Sequence, residues 1–199
     1  MKLYDAPVSG NCHKVRMLLS MLALEYEIVP INLADMEQKT PAHLARNPRG
    51  TVPVLEDGGT VIYDSQAILV YLAAKHGGGA WLPVDPEGLA TVTQWLSFAV
   101  NEIWNGPAIA RACLRFNRDV DLDRAQTAGR MALALMDAHL AQHDWLALDQ
   151  PTIADIACYP YAALAEEGEI SLAPFGALDA WFKRIEALPG YVGMPGLGN

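Results

Sequence analysis

The sequence predicts an α/β N-terminal domain followed by an all-α C-terminal domain, and three observations lead there. Residues 2–76 alternate strand-like and helix-like segments around a hairpin signal, Asp57-Gly58-Gly59, set between two β-forming runs. Residues 77–86 change to Gly, Pro and an isolated Trp81, the composition of a linker. From residue 87 onward only helical periodicity recurs, punctuated by caps and prolines.

Taken in order, Lys2 to Ala6 reads as a short strand. Val15, Leu18, Leu19 and Leu22 recur at helical spacing opposite His13, Lys14, Arg16 and Ser20, which predicts an amphipathic helix after a short loop. Tyr26 to Leu33 is rich in β-forming residues, but Pro30 brings no N–H to a ladder, so this strand belongs at a sheet edge. Asp35 to Asn47 is polar and suits an irregular or short helical segment. Val52 to Glu56 and Thr60 to Asp64 form the hairpin. Ile68, Leu69, Tyr71 and Leu72 mark the buried face of a second helix, whose end is favoured by Lys75 and His76 and stopped at Gly77-Gly78-Gly79. Strand, helix, strand, hairpin, helix is the βαβ plus ββα order of a thioredoxin-like fold, assigned to residues 1–76.

After the linker at 77–86, residues 87–199 form the helical domain. Asp85-Pro86-Glu87 supplies an N-cap, a first-turn proline and an acid, and Leu89, Val92, Leu96 and Val100 continue an apolar stripe. Asn105-Gly106-Pro107 should bend or break that helix, since Pro107 cannot donate a backbone hydrogen bond. Asp121 opens another helix with Leu133, Met136 and Leu140 on its face. Thr152-Ile153-Ala154-Asp155 opens the next as a reciprocal cap, Pro160 should kink it, and Pro174 begins a last helix that Pro189 ends.

Composition narrows the function classes. At 199 residues and 52% hydrophobic content the chain is long enough for a substantial core. A net charge of −9 argues against nucleic acid or an anionic membrane as the main partner, although Lys14, Arg16, Lys39, Arg46 and Arg49 make a local positive region for a small anion. No apolar run approaches the roughly 18 residues of a membrane span, so a cytoplasmic protein is expected. Cys12, Cys113 and Cys158 are odd in number and widely spaced, which suggests neither a disulfide framework nor a metal site.

Several residues carry candidate chemistry. Ser9 stands where the first strand hands over to the first helix, so its hydroxyl either caps that helix or faces an anion at its positive end. Asn11 has the same two readings. Cys12 follows Ser9 at the spacing of a CxxC motif that lacks its first cysteine, and reads as a small buried residue. His13 reads as a solvated or supporting side chain. Val52-Pro53 presents backbone groups at a bend, and Asp64-Ser65 places an acceptor and donors at a helix start, so that the two sides of the hairpin form a ledge for a peptide.

Asn47-Pro48-Arg49-Gly50-Thr51-Val52-Pro53-Val54-Leu55, Tyr63-Asp64-Ser65-Gln66-Ala67-Ile68 and Ser9-Gly10-Asn11-Cys12 together resemble the glutathione transferase family. Asn11-Cys12-His13-Lys14 further resembles part of a Thr-Pro-Asn-Gly-His-Lys pattern of bacterial and fungal relatives. The resemblance implies glutathione as co-substrate, no metal, a homodimer, and a small hydrophobic electrophile as second partner. It implies that Ser9 or Asn11 stabilises a thiolate. A thiol near pKa 8.5 must fall by about 2 units, on the order of 3 kcal/mol. A hydroxyl donor supplies roughly 1.5–3 kcal/mol and a helix N-terminus roughly 0.3–1.

It also implies a cis Val52-Pro53 bond that frees the Val52 N–H and C=O for the cysteinyl backbone, and a γ-glutamyl grip by Asp64 and Ser65. Gln38 or Lys39 is the candidate for the glycine end by position, Gly50-Thr51 lacking the lysine of some relatives. Trp104, Arg111 and Arg115 are candidates for the second-substrate pocket beside the Ala6-Pro7 loop, with a core aromatic and solvated arginines as the plainer reading. A glutathione-dependent disulfide reductase or peroxidase, and a non-catalytic binding protein of the same fold, stand as alternatives.

Overall fold

The computed structural model describes residues 1–197, and its sheet has four strands in the order β2-β1-β3-β4. Strand β1 (Lys2–Asp5) pairs in parallel with β2 (Glu27–Pro30) and antiparallel with β3 (Val54–Asp57), which pairs with β4 (Thr60–Tyr63). Pro30 stands at the last pair of edge strand β2, where its missing N–H costs no inner ladder bond. Gly58 and Gly59 both take positive φ, 56° and 90°, at the hairpin turn.

Helix α1 (Gly10–Met21) crosses from β1, and the short α2 (Pro41–Leu44), capped by Thr40, breaks up the polar segment. Helix α3 (Ser65–His76) buries Ile68, Leu69 and Leu72, whereas the Tyr71 hydroxyl turns out to Asp57 at 2.9 Å, beside Lys75. Helix α4 (Pro86–Ile103) starts at its Asp85 cap, but its buried side is Val92, Ala99 and Ile103. Leu89 and Val100 point outward, 42% and 49% exposed, so the stripe expected through them is rotated.

Pro107 does not break the chain's helical course. The backbone widens into a π turn over Trp104–Ala108 and resumes as α5 (Ile109–Phe116). An i→i+5 turn leaves room for the proline ring and spares its missing donor. Gly106 is required here, because a Cβ would lie 2.5 Å from the Cα of Gly129 in α6 (Leu122–Leu140). Pro160 stays inside α7 (Ile153–Ala163), and α8 (Gly176–Glu186) begins two residues after Pro174, with Phe175 at its cap position.

A single large core joins α1 and α3 to the later helices. The face of α1 that carries His13 and Lys14 is covered by α7, so both residues are buried and the amphipathic reading of this helix fails on that side. The chain's last segment returns to α1. Val192 offers its carbonyl to His13, the Tyr191 and Tyr159 hydroxyls meet at 2.8 Å, and Gly190 (φ 82°) comes so near Met21 that a Cβ would be 2.9 Å from its Cα. Among the described residues no helix is long and apolar enough to cross a membrane.

Candidate active site

The loop from β1 into α1 is held before any ligand is considered. Arg16 pairs with Asp5 and donates to the Pro7 carbonyl at 3.2 Å, while Arg111 donates to the Val8 carbonyl at 3.1 Å. Ser9 is the N-cap, with φ −85° and ψ 118°, and its Oγ accepts from the Cys12 N–H at 3.3 Å. That bond uses a lone pair and leaves the hydroxyl hydrogen to be donated elsewhere, so capping and anion binding are compatible.

Asn11 is not a cap. It lies inside the first turn, and its Oδ1 accepts from Lys14 Nζ at 2.9 Å and from the Ser65 hydroxyl at 3.4 Å. The amide's Nδ2 hydrogens are thereby left outward. The N-termini of α1 and α3 meet through this pair, bringing two sets of unsatisfied backbone N–H groups to one place.

Cys12 is fully buried, its sulfur accepting from the Ala6 N–H at 3.5 Å, and burial together with the Asp5 charge pushes its thiol up to about 12. It is a packing residue at neutral pH. His13, expected to be solvated or supporting, is buried between Tyr159 and Tyr191. Burial pushes it down to about 4, and the neutral ring donates from Nε2 to the Val192 carbonyl at 2.7 Å.

Val52 packs on Ala6 and Cys12, and the Val52-Pro53 bond is cis. Among the described residues the Val52 N–H and C=O have no hydrogen-bond partner, so a strand-like edge is open at the residue that packs on Cys12. The preceding carbonyl, that of Thr51, is fixed by His43 Nε2 at 2.9 Å and by Asn47 Nδ2 at 2.8 Å. Lys39 Nζ reaches the Arg49 carbonyl at 3.1 Å across Gly50, and Gln38 Oε1 is buried without a partner.

Asp64 sits at φ 78°, a conformation that costs a non-glycine residue of order 1–3 kcal/mol and that clusters at ligand clamps. Its carboxylate accepts from the Gln66 N–H at 2.9 Å and pairs with Arg49 at 3.1 Å. Asp64 is therefore the cap of α3, and Ser65 its first residue, 6% exposed.

On the helical side Trp104 is 37% exposed and meets the ring of Tyr161 edge-on at 6.0 Å. Arg111 is not a solvated arginine. It is 3% exposed and tied to Glu167 at 2.6 Å as well as to Val8, so it is an internal strut. Arg115 lies 3.7 Å from the same carboxylate with half its side chain in solvent.

Tyr161 escaped the sequence reading. A Cβ on Gly10 would lie 2.8 Å from its ring, so α1 seats directly on this tyrosine, and burial pushes its hydroxyl up to about 12. His43, Asn47 and the burial of Lys14 were also missed: His43 and Asn47 both reach Thr51 from a segment read only as irregular or short helical, and Lys14 is buried where α7 packs on α1. A depression of about 610 Å³ between α4 and α6, lined by Trp95, Phe98, His139, His143 and Trp145, contains none of the candidate residues. Among the described residues no group of three or more His, Cys, Asp or Glu is placed to hold a metal ion.

Both halves of the chain resemble known proteins. Residues 3–80 match the family model for the glutathione S-transferase N-terminal domain, and residues 98–189 match that for its C-terminal domain. Glutathione S-transferase D7 of Anopheles gambiae is 30% identical, over 92% of this chain and 85% of its own. Disulfide-bond oxidoreductase YfcG of Escherichia coli (strain K12) is 29% identical, over 94% and 90%. The crystal structure of glutathione S-transferase from Pseudomonas fluorescens [Pf-5] superposes with a TM-score of 0.91 at 33% identity, covering 97% of this chain and 98% of that one. With both halves matched in sequence and the whole chain matched in shape, the protein belongs to the glutathione S-transferase family.

Proposed function

We propose that the protein binds glutathione along the ledge of Val52, Asp64 and Ser65, holds its sulfur as a thiolate beside Ser9 and Asn11, and conjugates it to a small hydrophobic electrophile. The observation that carries this reading is the convergence of the Ser9 hydroxyl, the Asn11 amide and two helix N-termini on the side of the fold where the Val52 backbone is unpaired. The thiolate attacks the electrophilic carbon, its lone pair forming the C–S bond as the leaving group or π electrons depart. The protein's part is to lower the thiol pKa and orient the sulfur.

In this reading residues 1–76 hold glutathione, 77–86 connect, and 87–199 supply the second pocket, with Trp104 at its wall and Arg111 and Arg115 shaping the loop behind it. Gln38 and Lys39 face the glycine end. Exposed apolar residues on β4, α3, α4 and α6, among them Tyr63, Val70, Leu89 and Met131, suit a homodimer in a cytoplasmic setting. A second reading, disulfide reduction by the same bound thiolate, is favoured by the relative named as a disulfide-bond oxidoreductase.

The test is the Ser9→Ala variant with glutathione bound. The bound thiol pKa should rise by about 1–2 units and conjugation at neutral pH should fall roughly 10- to 100-fold. An unchanged thiol titration and rate would remove Ser9 from the reaction. Turnover of mixed disulfides exceeding conjugation would select the second reading, and glutathione binding without thiolate absorbance would leave a non-catalytic binding protein.

A further inference from the structure

Lys14 is 2% exposed beneath the start of α1. Its Nζ donates to Asn11 Oδ1 at 2.9 Å and stands 5.3 Å from the centre of the Tyr161 ring. Lysine is almost never fully buried without a paired anion. Yet among the described residues no carboxylate lies within ion-pair distance of this one.

The groups around it do not neutralise it. Cys158, facing from α7, is held in its neutral form because burial pushes its thiol up. Asp64, ahead of α3, acts from a distance and is shared between Arg49 and the Gln66 N–H. Tyr161 keeps its proton at neutral pH. The first-turn N–H groups of α1 and α3 add positive potential. Burial accordingly pushes the Lys14 ammonium down to about 8, the mark of a cation that lacks a counter-charge.

We infer that the missing counter-charge is the thiolate of bound glutathione, and that Lys14 is a positioning residue that fixes Asn11 Oδ1 so the Nδ2 donors face the sulfur. The inference rests on the glutathione-activating reading above and names the part of the site that supplies its charge. The attraction acts at low dielectric, through a neutral amide that it polarises, so it favours the ionised thiol over the protonated one. Binding transfers no atom to the lysine. The thiol proton leaves to solvent as the sulfur's negative charge settles opposite the ammonium.

The experiment compares the parent protein with Lys14→Met and Lys14→Gln, the second keeping a donor for Asn11 without the charge. Thiolate absorbance of the glutathione complex is followed against pH, and affinity for S-methylglutathione, which has no ionisable thiol, is measured by calorimetry. Both variants should raise the bound thiol pKa by about 1 unit or more. S-methylglutathione affinity should change by less than about threefold. Both variants titrating within about 0.3 unit of the parent protein would overturn the inference while leaving the glutathione reading intact. A parent protein that binds no glutathione, or binds it with the thiol protonated, would overturn that reading and this inference with it.

Discussion

Asp155→Ala is expected to cost about 4 kcal/mol of folding stability. The carboxylate accepts from the Leu146 N–H at 3.0 Å and from Trp181 Nε1 at 2.9 Å through one oxygen, and from the Thr152 N–H at 2.9 Å through the other. Asp155, Thr152 and Trp181 are 0% exposed and Leu146 is 1% exposed. Alanine strands three buried N–H donors at roughly 1–3 kcal/mol each, reduced where a water or a shift relieves one, and also removes the acceptor 3.4 Å from the Thr152 hydroxyl. It also dissolves the capping box of α7, a loss of about 0.5–2 kcal/mol that overlaps with the Thr152 share.

Burial pushes the Asp155 carboxyl up against the pull of these donors, so its value lies in hydrogen bonding more than in charge. Asp155→Asn, which keeps an acceptor for Leu146 and Trp181 but turns an NH2 toward Thr152, should therefore cost about half as much. Urea unfolding followed by tryptophan fluorescence and by circular dichroism reads both variants. Against a total stability of about 5–15 kcal/mol the alanine variant should shift the midpoint plainly. A loss under about 1.5 kcal/mol for alanine, or equal losses for alanine and asparagine, would refute the account.

Gly106→Ala should destabilise by about 1–3 kcal/mol, more than Gly129→Ala, because its Cβ meets Gly129 backbone whereas the tightest neighbour of a Cβ at Gly129 is the movable Ile170 Cδ1. Thermal melts that rank the two in reverse would contradict that packing. His13 carries a pH signature. Its folded pKa, about 4, lies below the unfolded value near 6.5, so the unfolded chain takes the proton first. Its contribution is full above pH 6.5 and is lost as pH falls toward 4, up to about 3 kcal/mol. His139, pushed down by burial and by His143, acts in the same direction. His13→Gln, which keeps a donor for Val192, should flatten that limb of the stability curve; an unchanged slope would exclude His13 as its source.

Features that depend on neighbours in sequence were legible. The Asp57-Gly58-Gly59 hairpin, the caps at Asp85, Asp121 and Thr152, and the edge position of Pro30 each follow from local sterics or hydrogen bonding. Features decided by a second layer were not. Periodicity along α1 assumes one covered face, but α7 covers the other, so Lys14 was placed on the polar side and His13 was read as solvated or supporting. Arg111 read as a surface residue because its partners, Val8 and Glu167, are distant in sequence.

The Pro107 rule describes an α-helix and does not anticipate a turn widened to admit the ring. At the site, Ser9 and Asn11 were interchangeable as caps on local grounds. The loop conformation before α1, set by Arg16 and Arg111, gives the cap to Ser9 and frees Asn11 to meet Ser65. At Val52-Pro53 the residues themselves indicated a bend, and only the family resemblance suggested the cis isomer that is observed.

The return of Tyr191 and Val192 to α1 has a consequence for how the protein is made. Between the end of α3 and this tail the ribosome must add the whole helical region, which at about 5–20 residues per second takes roughly 6–23 s. Until residue 192 is made His13 lacks its carbonyl, although α7 is already present to cover that face of α1. The surroundings of α1 are thus completed only when residues 190–192 have been made, long after the helix itself.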